Sequence, residues 1–252
     1  MNHEVILSAK HITRQFGSLI AVNDVSLDLP LGAIHAVIGT NGAGKSTLIS
    51  ILAGELAPNK GEIHLNRQDV TRWPQPRRAR AGMGRSYQRI TIFPSLSVHE
   101  NCRIMAQAND QKFWSWTPAH RCARTNEIAD RALAQTGLEN MRDSIAASLS
   151  HGGKRQLEIA MSLATKPKVL LLDEPLAGMG PEETERILAL LTSLKPDHAI
   201  LLIEHDMDAV FRISDVITVM VNGTIIAHGD PAAIRRNRDV QIAYLGDSAC
   251  FQ

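Results

Sequence analysis

The chain has 252 residues, a length that suits one sizeable α/β core with a smaller part appended to it. Lysine and arginine total 27 while aspartate and glutamate total 26, so no overall field attracts nucleic acid or anionic lipid. The three cysteines lie far apart without C-x-x-C spacing, which favours a reduced, cytosolic compartment and argues against a zinc site. No apolar run approaches the roughly 20 residues of a membrane-spanning helix, so we expect a protein that is neither secreted nor membrane-spanning.

The chain opens with predicted β structure. Apolar and polar residues alternate over Val5 to Phe16 and over Val22 to Leu29, as in half-exposed antiparallel strands. Ala33 to Ile38 is almost continuously apolar, which indicates a strand covered on both faces. A helix is predicted over Lys45 to Ala53, and Gly54 ends it.

A glycine-rich loop joins this buried strand to this helix. It consists of Gly39, Thr40, Asn41, Gly42, Ala43, Gly44, Lys45, Ser46 and Thr47, and it matches the G-x-x-x-x-G-K-[ST] pattern. Its backbone N–H groups can surround a β-phosphate, Lys45 can reach the β- and γ-oxygens, and the Ser46 hydroxyl can ligate Mg²⁺. The loop therefore predicts a site for ATP and Mg²⁺.

The middle of the chain is predicted to be mainly helical. A short strand is expected at Gly61 to Leu65, and the Pro- and Arg-rich stretch from Trp73 to Arg85 is expected to be a loop that can include one helical turn. Apolar spacing is mostly helical from Val98 to Thr136, with an interruption around Asn109 to Pro118. We expect one nucleotide-binding domain over residues 1–252, with β and P-loop parts at about 1–88 and 165–252 and a helical subdomain at about 89–164.

A second run of small residues, Leu149 to Gly153, leads into a helix predicted over Lys154 to Ala164. The free N–H groups at a helix start attract anions. Because the glycine-rich loop already holds the phosphates of its own nucleotide, the second site needs a nucleotide from elsewhere. The sequence thus predicts an ATPase that works only as a pair of subunits facing head to tail.

Two further buried strands end in polar residues. Val169 to Leu172 is followed by Asp173 and Glu174, and Ala199 to Ile203 is followed closely by His205. The carboxyl edge of a parallel sheet places such residues beside the glycine-rich loop. There Asp173 can hold Mg²⁺ through a water, Glu174 can polarise the attacking water, and His205 can touch the γ-phosphate.

The remaining predictions concern the last third of the chain and two isolated residues. Helices are expected at Pro181 to Leu194 and at Asp206 to Ile213, and a hairpin turns at Asn222-Gly223. Gln88 alone is typical of a solvated loop residue. Phe16 can stack on adenine or serve as core or edge cover.

Taken in chain order, these motifs resemble those of the nucleotide-binding subunit of an ATP-binding cassette (ABC) transporter. They are Phe16, the Gly39–Thr47 loop, Gln88, Leu149–Gly152, Val169–Glu174 and His205. The resemblance implies a P-loop NTPase (RecA-like) α/β fold whose mainly parallel core carries an antiparallel β subdomain and an inserted α-helical subdomain.

The same resemblance implies a role for each motif. Phe16 is the aromatic residue on adenine, Lys45 and Glu174 are catalytic, and His205 is the switch histidine. Gln88 is the Q-loop glutamine, which belongs both to the catalytic residues and to the residues that hold Mg²⁺. Ser150 and Gly152 are the signature residues that meet the γ-phosphate on the partner.

Four positions depart from the family pattern. His151 and Gly153 replace the third and fifth residues of the usual L-S-G-G-Q signature, which leaves the Ser150 hydroxyl and the Gly152 amide in place. Gly180 stands where most relatives carry Asp or Asn, so the usual side-chain link to the partner's phosphate loop is missing. Thr40 stands where proline is frequent, a change expected to affect loop stiffness.

Several further segments are similar to ATPases of bacterial branched-chain amino-acid importers. They are Phe16–Leu19, Ala21–Leu27, Gln156–Ala160, Ile203–Met207 and Ala243–Gly246. This resemblance implies a homodimer, or a heterodimer with a paralogous ATPase, on two permease subunits at the cytoplasmic face of the inner membrane. A periplasmic solute-binding protein then takes part indirectly. The alternatives are the ATPase of a urea or amide importer, that of a lipopolysaccharide exporter, and a soluble ABC ATPase without a transport role.

Two segments stay outside these motifs. The basic residues at 77, 78, 80, 85 and 89 are interpreted as a solvated or permease-facing surface, since one small cluster in a neutral chain does not predict nucleic-acid binding. Phe113 to Trp116 is interpreted as either a partner surface or core packing.

Overall fold

The computed structural model describes residues 4–110 and 122–244, and it contains two sheets. The first sheet is antiparallel and consists of β1 (Val5–Phe16), β2 (Leu19–Pro30), β4 (Lys60–Leu65) and β5 (Gln68–Asp69), in the order β2-β1-β4-β5. The buried side chains of β1 are those of Ile6, Leu7, Ala9 and Ile12, so the predicted period-two alternation is interrupted where the register against β2 shifts.

The second sheet forms the centre of the molecule. It consists of β3 (Ala33–Gly39), β6 (Met83–Arg85), β7 (Val169–Asp173), β8 (Ala199–Ile203), β9 (Val216–Val221) and β10 (Thr224–Gly229), in the order β10-β9-β3-β8-β7-β6. All its pairings are parallel except that of β9 with β10. Every residue of β3, β7 and β8 is buried, so the carboxyl ends of these neighbouring strands meet at one edge of a rigid core.

Nine α-helices lie in the described ranges. They are α1 (Lys45–Ala53), α2 (Gln75–Arg80), α3 (Val98–Asp110), α4 (Ala123–Thr136), α5 (His151–Ala164), α6 (Pro181–Leu194), α7 (Met207–Ile213), α8 (Pro231–Arg236) and α9 (Arg238–Tyr244). Helices α3, α4 and α5 pack against one another, while α1 packs between the two sheets. In the described part of the chain, no helix is long and apolar enough to cross a lipid bilayer. The predicted α/β fold class, with its parallel core, antiparallel sheet and helical group, is confirmed.

The helical turn expected between Trp73 and Arg85 is found, but the expectation of a loop is wrong for the last three residues of this stretch. Residues Gln75–Arg80 form α2, and Met83–Arg85 form β6, which pairs in parallel with β7 at the edge of the central sheet. A three-residue strand is too short to show a period in the sequence, and its pairing partner lies more than 80 residues away. Helix α5 also begins at His151 rather than Lys154, because the Ser150 side chain accepts a hydrogen bond from the Gly153 N–H and caps it.

The interpretation of the arginine run as solvated surface is wrong for Arg78 and Arg85. The Arg78 guanidinium is fully buried and donates to the carbonyl oxygens of Ile51 (2.8 Å) and Leu52 (2.6 Å), at the C-terminal end of α1. The Gly54 N–H already donates to the Ile51 carbonyl at 3.1 Å, and Arg78 adds a cationic donor to both carbonyls at this helix end. Burial lowers the pKa of Arg78 to about 10, which leaves it cationic at neutral pH. Arg85 is largely buried and pairs with Glu55 at 2.5 Å.

The Phe113 to Trp116 segment lies outside the described residues, as do Cys250 and the last part of the Ala243–Gly246 match.

Candidate active site

The glycine-rich loop follows β3 and turns tightly into α1. Gly44 has φ +96°, and a Cβ built there would lie 2.1 Å from the Ala21 carbonyl oxygen, so only glycine fits this position. Lys45, the first residue of α1, is 6% exposed, and its ammonium donates to the carbonyl oxygens of Gly39 (2.7 Å) and Thr40 (3.0 Å). Burial lowers the pKa of Lys45, while Glu174 and Asp173 oppose that shift. The Lys45 ammonium is therefore held inside the same loop whose backbone N–H groups can bind phosphate.

One open cleft of about 500 Å³ connects most of the predicted residues. Its lining includes Phe16, Asn41, Gly42, Ala43, Gly44, Lys45, Ser46, Thr47, Gln88, Glu174 and His205. Gly39 and Thr40 lie at the base of the loop, where they hold Lys45. The cleft therefore spans from an apolar end, formed by Phe16, Leu19 and Ile20, to a charged end at the sheet edge.

Glu174 lies at the charged end, directly after β7. Its Oε2 accepts a hydrogen bond from Gln88 Nε2 at 3.0 Å, and its Oε1 bonds to His205 Nε2. Burial acts to raise the pKa of Glu174, but the hydrogen bonds from Gln88 and His205 lower it overall, so this carboxylate is ionised at neutral pH. Three side chains from three separate parts of the chain therefore form one hydrogen-bonded group around the best candidate base.

Asp173 lies just behind Glu174 and is 5% exposed. Its Oδ1 is buried, and no hydrogen-bond partner for that atom lies within the described residues. Burial raises its pKa, and the nearby Arg85 lowers it. A buried carboxylate oxygen without a partner suits a cation or its water shell, which would satisfy it.

The residues present fit Mg²⁺. Among residues 4–110 and 122–244, no group of three or more His, Cys, Asp or Glu side chains could hold a metal ion by itself. Mg²⁺ is commonly bound by one or two carboxylates together with substrate phosphates, and the set of Ser46, Gln88 and Asp173 offers one hydroxyl, one amide and one carboxylate.

The phenyl ring of Phe16 lies at the apolar end of the cleft and is 42% exposed. The Arg14 guanidinium lies 4.6 Å from the ring centroid, and Arg14 Nη1 donates to the Ala57 carbonyl at 2.9 Å. An exposed aromatic ring that forms part of a cleft wall can stack on a purine base.

Sequence reasoning missed the groups that hold the loop around Gln88. Arg155 and Glu158 of α5 form a buried ion pair, and they are 1% and 4% exposed. Arg155 donates to the carbonyl oxygens of Tyr87 (2.6 Å) and Gln88 (3.1 Å). The only signal in the sequence is a pair of charges on the otherwise apolar face of a helix. The helix that begins at the predicted signature therefore also positions Gln88.

The second predicted anion site lies apart from the cleft. Ser150 caps α5, and neither Ser150 nor Gly152 belongs to the residues that line the cleft. The structure therefore does not bring these two residues to the glycine-rich loop of the same subunit, as expected for a site that faces another copy.

Fold and cleft define an ATP-binding cassette ATPase, and comparison with known proteins agrees. Residues 22–177 match the family model for the ABC transporter, and residues 224–249 match that for the branched-chain amino acid ATP-binding cassette transporter. The chain therefore belongs to the ABC transporter family as one of its ATP-binding subunits, which confirms the predicted family and enzyme class.

Individual relatives cover nearly the whole chain. The chain is 40% identical to the high-affinity branched-chain amino acid transport ATP-binding protein LivG of Salmonella typhimurium, over 96% of this chain and 98% of the relative. It is 33% identical to the lipopolysaccharide export system ATP-binding protein LptB of Escherichia coli, over 96% and 97%. The crystal structure of the ADP conformation of MJ1267, an ATP-binding cassette of an ABC transporter, superposes with a TM-score of 0.87 at 30% identity, covering 96% of this chain and 99% of that one.

Proposed function

We propose that this chain hydrolyses ATP to energise the uptake of branched-chain or related amino acids through a bacterial ABC importer. The observation that carries the proposal is the match of residues 224–249 to the branched-chain amino acid family model, because it lies outside the motifs common to all ABC ATPases. The greater identity to LivG than to LptB supports import over lipopolysaccharide export.

ATP binds along the cleft in this proposal. The purine ring stacks on Phe16, the backbone N–H groups of residues 42–46 surround the β-phosphate, and Lys45 turns from its two carbonyls to the phosphate oxygens. Ser46, Gln88 and Asp173 would hold Mg²⁺. When bound, the metal ion neutralises charge on the β- and γ-oxygens.

Hydrolysis then depends on Glu174 and His205. Glu174, ionised at neutral pH, orients the attacking water and withdraws its proton, while His205 holds the carboxylate in place and faces the γ-phosphate. Gln88 Nε2 donates to Glu174, which leaves the Gln88 amide oxygen available to the metal ion or its water.

The site is completed by a second copy. We propose that Ser150 and Gly152 at the start of α5 bind the γ-phosphate held by the partner, in a homodimer or in a heterodimer with a paralogous ATPase. The dimer acts on two permease subunits at the cytoplasmic face of the inner membrane, and a periplasmic solute-binding protein delivers the solute. Helices α3–α5 and the Gln88 loop, joined by Arg155, transmit the motion.

The solute assignment is tested with the assembled transporter in proteoliposomes that contain ATP. We expect the binding protein loaded with leucine to raise ATP hydrolysis and to give leucine uptake, and the same protein offered urea to do neither. Uptake of urea without leucine would instead assign the transporter to the urea importers. Stimulation by lipopolysaccharide in the absence of any binding protein would assign an exporter.

The composite site is tested by Ser150→Ala. We expect the ATPase activity to fall by roughly tenfold or more, because a charge-assisted hydrogen bond to the γ-phosphate is lost, whereas the nucleotide affinity of the dilute monomer stays unchanged. Ser148→Ala is the matched control, since Ser148 is also exposed and its hydroxyl donates to the Ile145 carbonyl of its own turn. Full activity of the Ser150 variant would contradict the two-subunit site.

A further inference from the structure

A carboxylate already lies in the predicted signature site. Glu183 is the third residue of α6, and its Oε1 accepts hydrogen bonds from the Ser150 hydroxyl (2.9 Å) and from the Gly152 N–H (3.1 Å). The contact is close, since a Cβ built on Gly152 would lie 2.7 Å from the Glu183 carboxyl carbon. A single carboxylate oxygen thus engages both groups that the proposed function assigns to the partner's nucleotide.

The chemistry of this contact matches that of a phosphate contact. A hydroxyl and a backbone N–H at the start of a 14-residue helix donate to one anionic oxygen. The hydrogen bonds from Ser150 and Gly152 hold the pKa of Glu183 below its usual range, so the carboxylate is ionised at neutral pH. The Ser150 hydroxyl and the Gly152 N–H each have one hydrogen to donate. A carboxylate and a phosphate therefore compete for these donors, and their negative charges also repel each other.

We propose that Glu183 is a positioning residue that acts through Ser150 and Gly152. It holds the signature donors in place while the subunit is alone, and it competes with the γ-phosphate of the nucleotide on the second copy. The ATP concentration at which two subunits close therefore depends on displacing Glu183. This inference rests on the proposed function, because it takes Ser150 and Gly152 to be γ-phosphate donors.

The chain offers a closely matched pair of variants. Glu183→Gln removes the negative charge but keeps the length of the side chain and an oxygen that can cap the start of α6, where Gly180 supplies no side chain. Glu182→Gln makes the same charge change one position earlier, on an exposed residue of the same turn. Differences between the two variants then report the contact with Ser150 and Gly152 rather than net charge.

The experiment measures dimer formation against ATP concentration by light scattering, with each variant in a Glu174→Gln background that blocks hydrolysis. We expect Glu183→Gln to lower the half-maximal ATP concentration by roughly two- to fivefold, the range for an exposed charged contact, and Glu182→Gln to leave it unchanged. The ATP affinity of the dilute monomer should not change in either variant, and the thermal midpoint of Glu183→Gln should fall only slightly, because the weakened contact lies within the folded monomer. With Ser150→Ala added, Glu183→Gln should have a much smaller effect.

Three outcomes would overturn the inference. They are a higher half-maximal ATP concentration in Glu183→Gln, no change in it, or an equal shift in Glu182→Gln. The proposed function has its own separate test, because Ser150→Ala alone reports whether the signature site acts in hydrolysis. If Ser150→Ala lowers the ATPase activity as expected and Glu183→Gln has no effect on dimer formation, only the role of Glu183 is rejected.

Discussion

Replacement of Glu174 with glutamine is expected to reduce ATP turnover by roughly 10²- to 10⁴-fold while an ATP-bound dimer accumulates. The amide cannot withdraw a proton from water, but it has the same length and can still bond to His205, so the shape of the cleft is retained. Nucleotide binding and subunit closure precede the proton transfer and are therefore preserved. Phosphate release measures the turnover, and light scattering with ATP measures the dimer.

The control for this variant is Glu185→Gln. Glu185 is exposed and pairs with Arg212 at the surface, away from the cleft, so the same substitution there should leave turnover near that of the unmodified protein. A Glu174→Gln variant that stays monomeric at saturating ATP would contradict the composite site. Turnover close to normal would assign the base to another residue.

The part of the site that could be predicted from the sequence is the part whose signal is local. The glycine-rich loop is contiguous, and its spacing alone predicts a phosphate-binding site. Asp173, Glu174 and His205 could be placed because they lie at or just after the ends of fully buried strands, and parallel strands end at the same edge. Gln88 and Phe16 needed the family resemblance, since a glutamine or an aromatic residue in a loop has no distinctive pattern.

What could not be predicted depends on contacts between distant parts of the chain. Arg155 lies 68 residues from Tyr87, whose carbonyl it binds, and Arg78 lies 27 residues from the Ile51 carbonyl at the end of α1. A charged residue in a helix is normally solvated, so the composition of a segment cannot reveal that its cation satisfies buried carbonyls elsewhere. Glu183 was missed for the same reason, because Ser150 is 33 positions away.

Replacement of Lys45 with alanine is expected to weaken ATP binding by about 10- to 100-fold, the range for a lost hydrogen bond to a charged group. In the subunit without nucleotide the ammonium is held by the Gly39 and Thr40 carbonyls, and no other lysine lines the cleft formed by the described residues. The remaining backbone N–H groups can still surround a phosphate, but they carry only partial charges. The largest loss is therefore expected for nucleotides with a γ-phosphate, and a smaller one for ADP.

Fluorescence competition with ATP and with ADP measures this effect. Lys60→Ala is the matched control, because Lys60 is exposed at the start of β4 and lies outside the cleft. Alanine also leaves the Gly39 and Thr40 carbonyls without their cation, so a thermal melt without nucleotide is needed to separate loss of binding from loss of folding. If the variant folds and still binds ATP with normal affinity, the phosphates do not bind at Lys45. The assignments of Ser46, Asp173 and Glu174 to the same nucleotide would then be wrong as well.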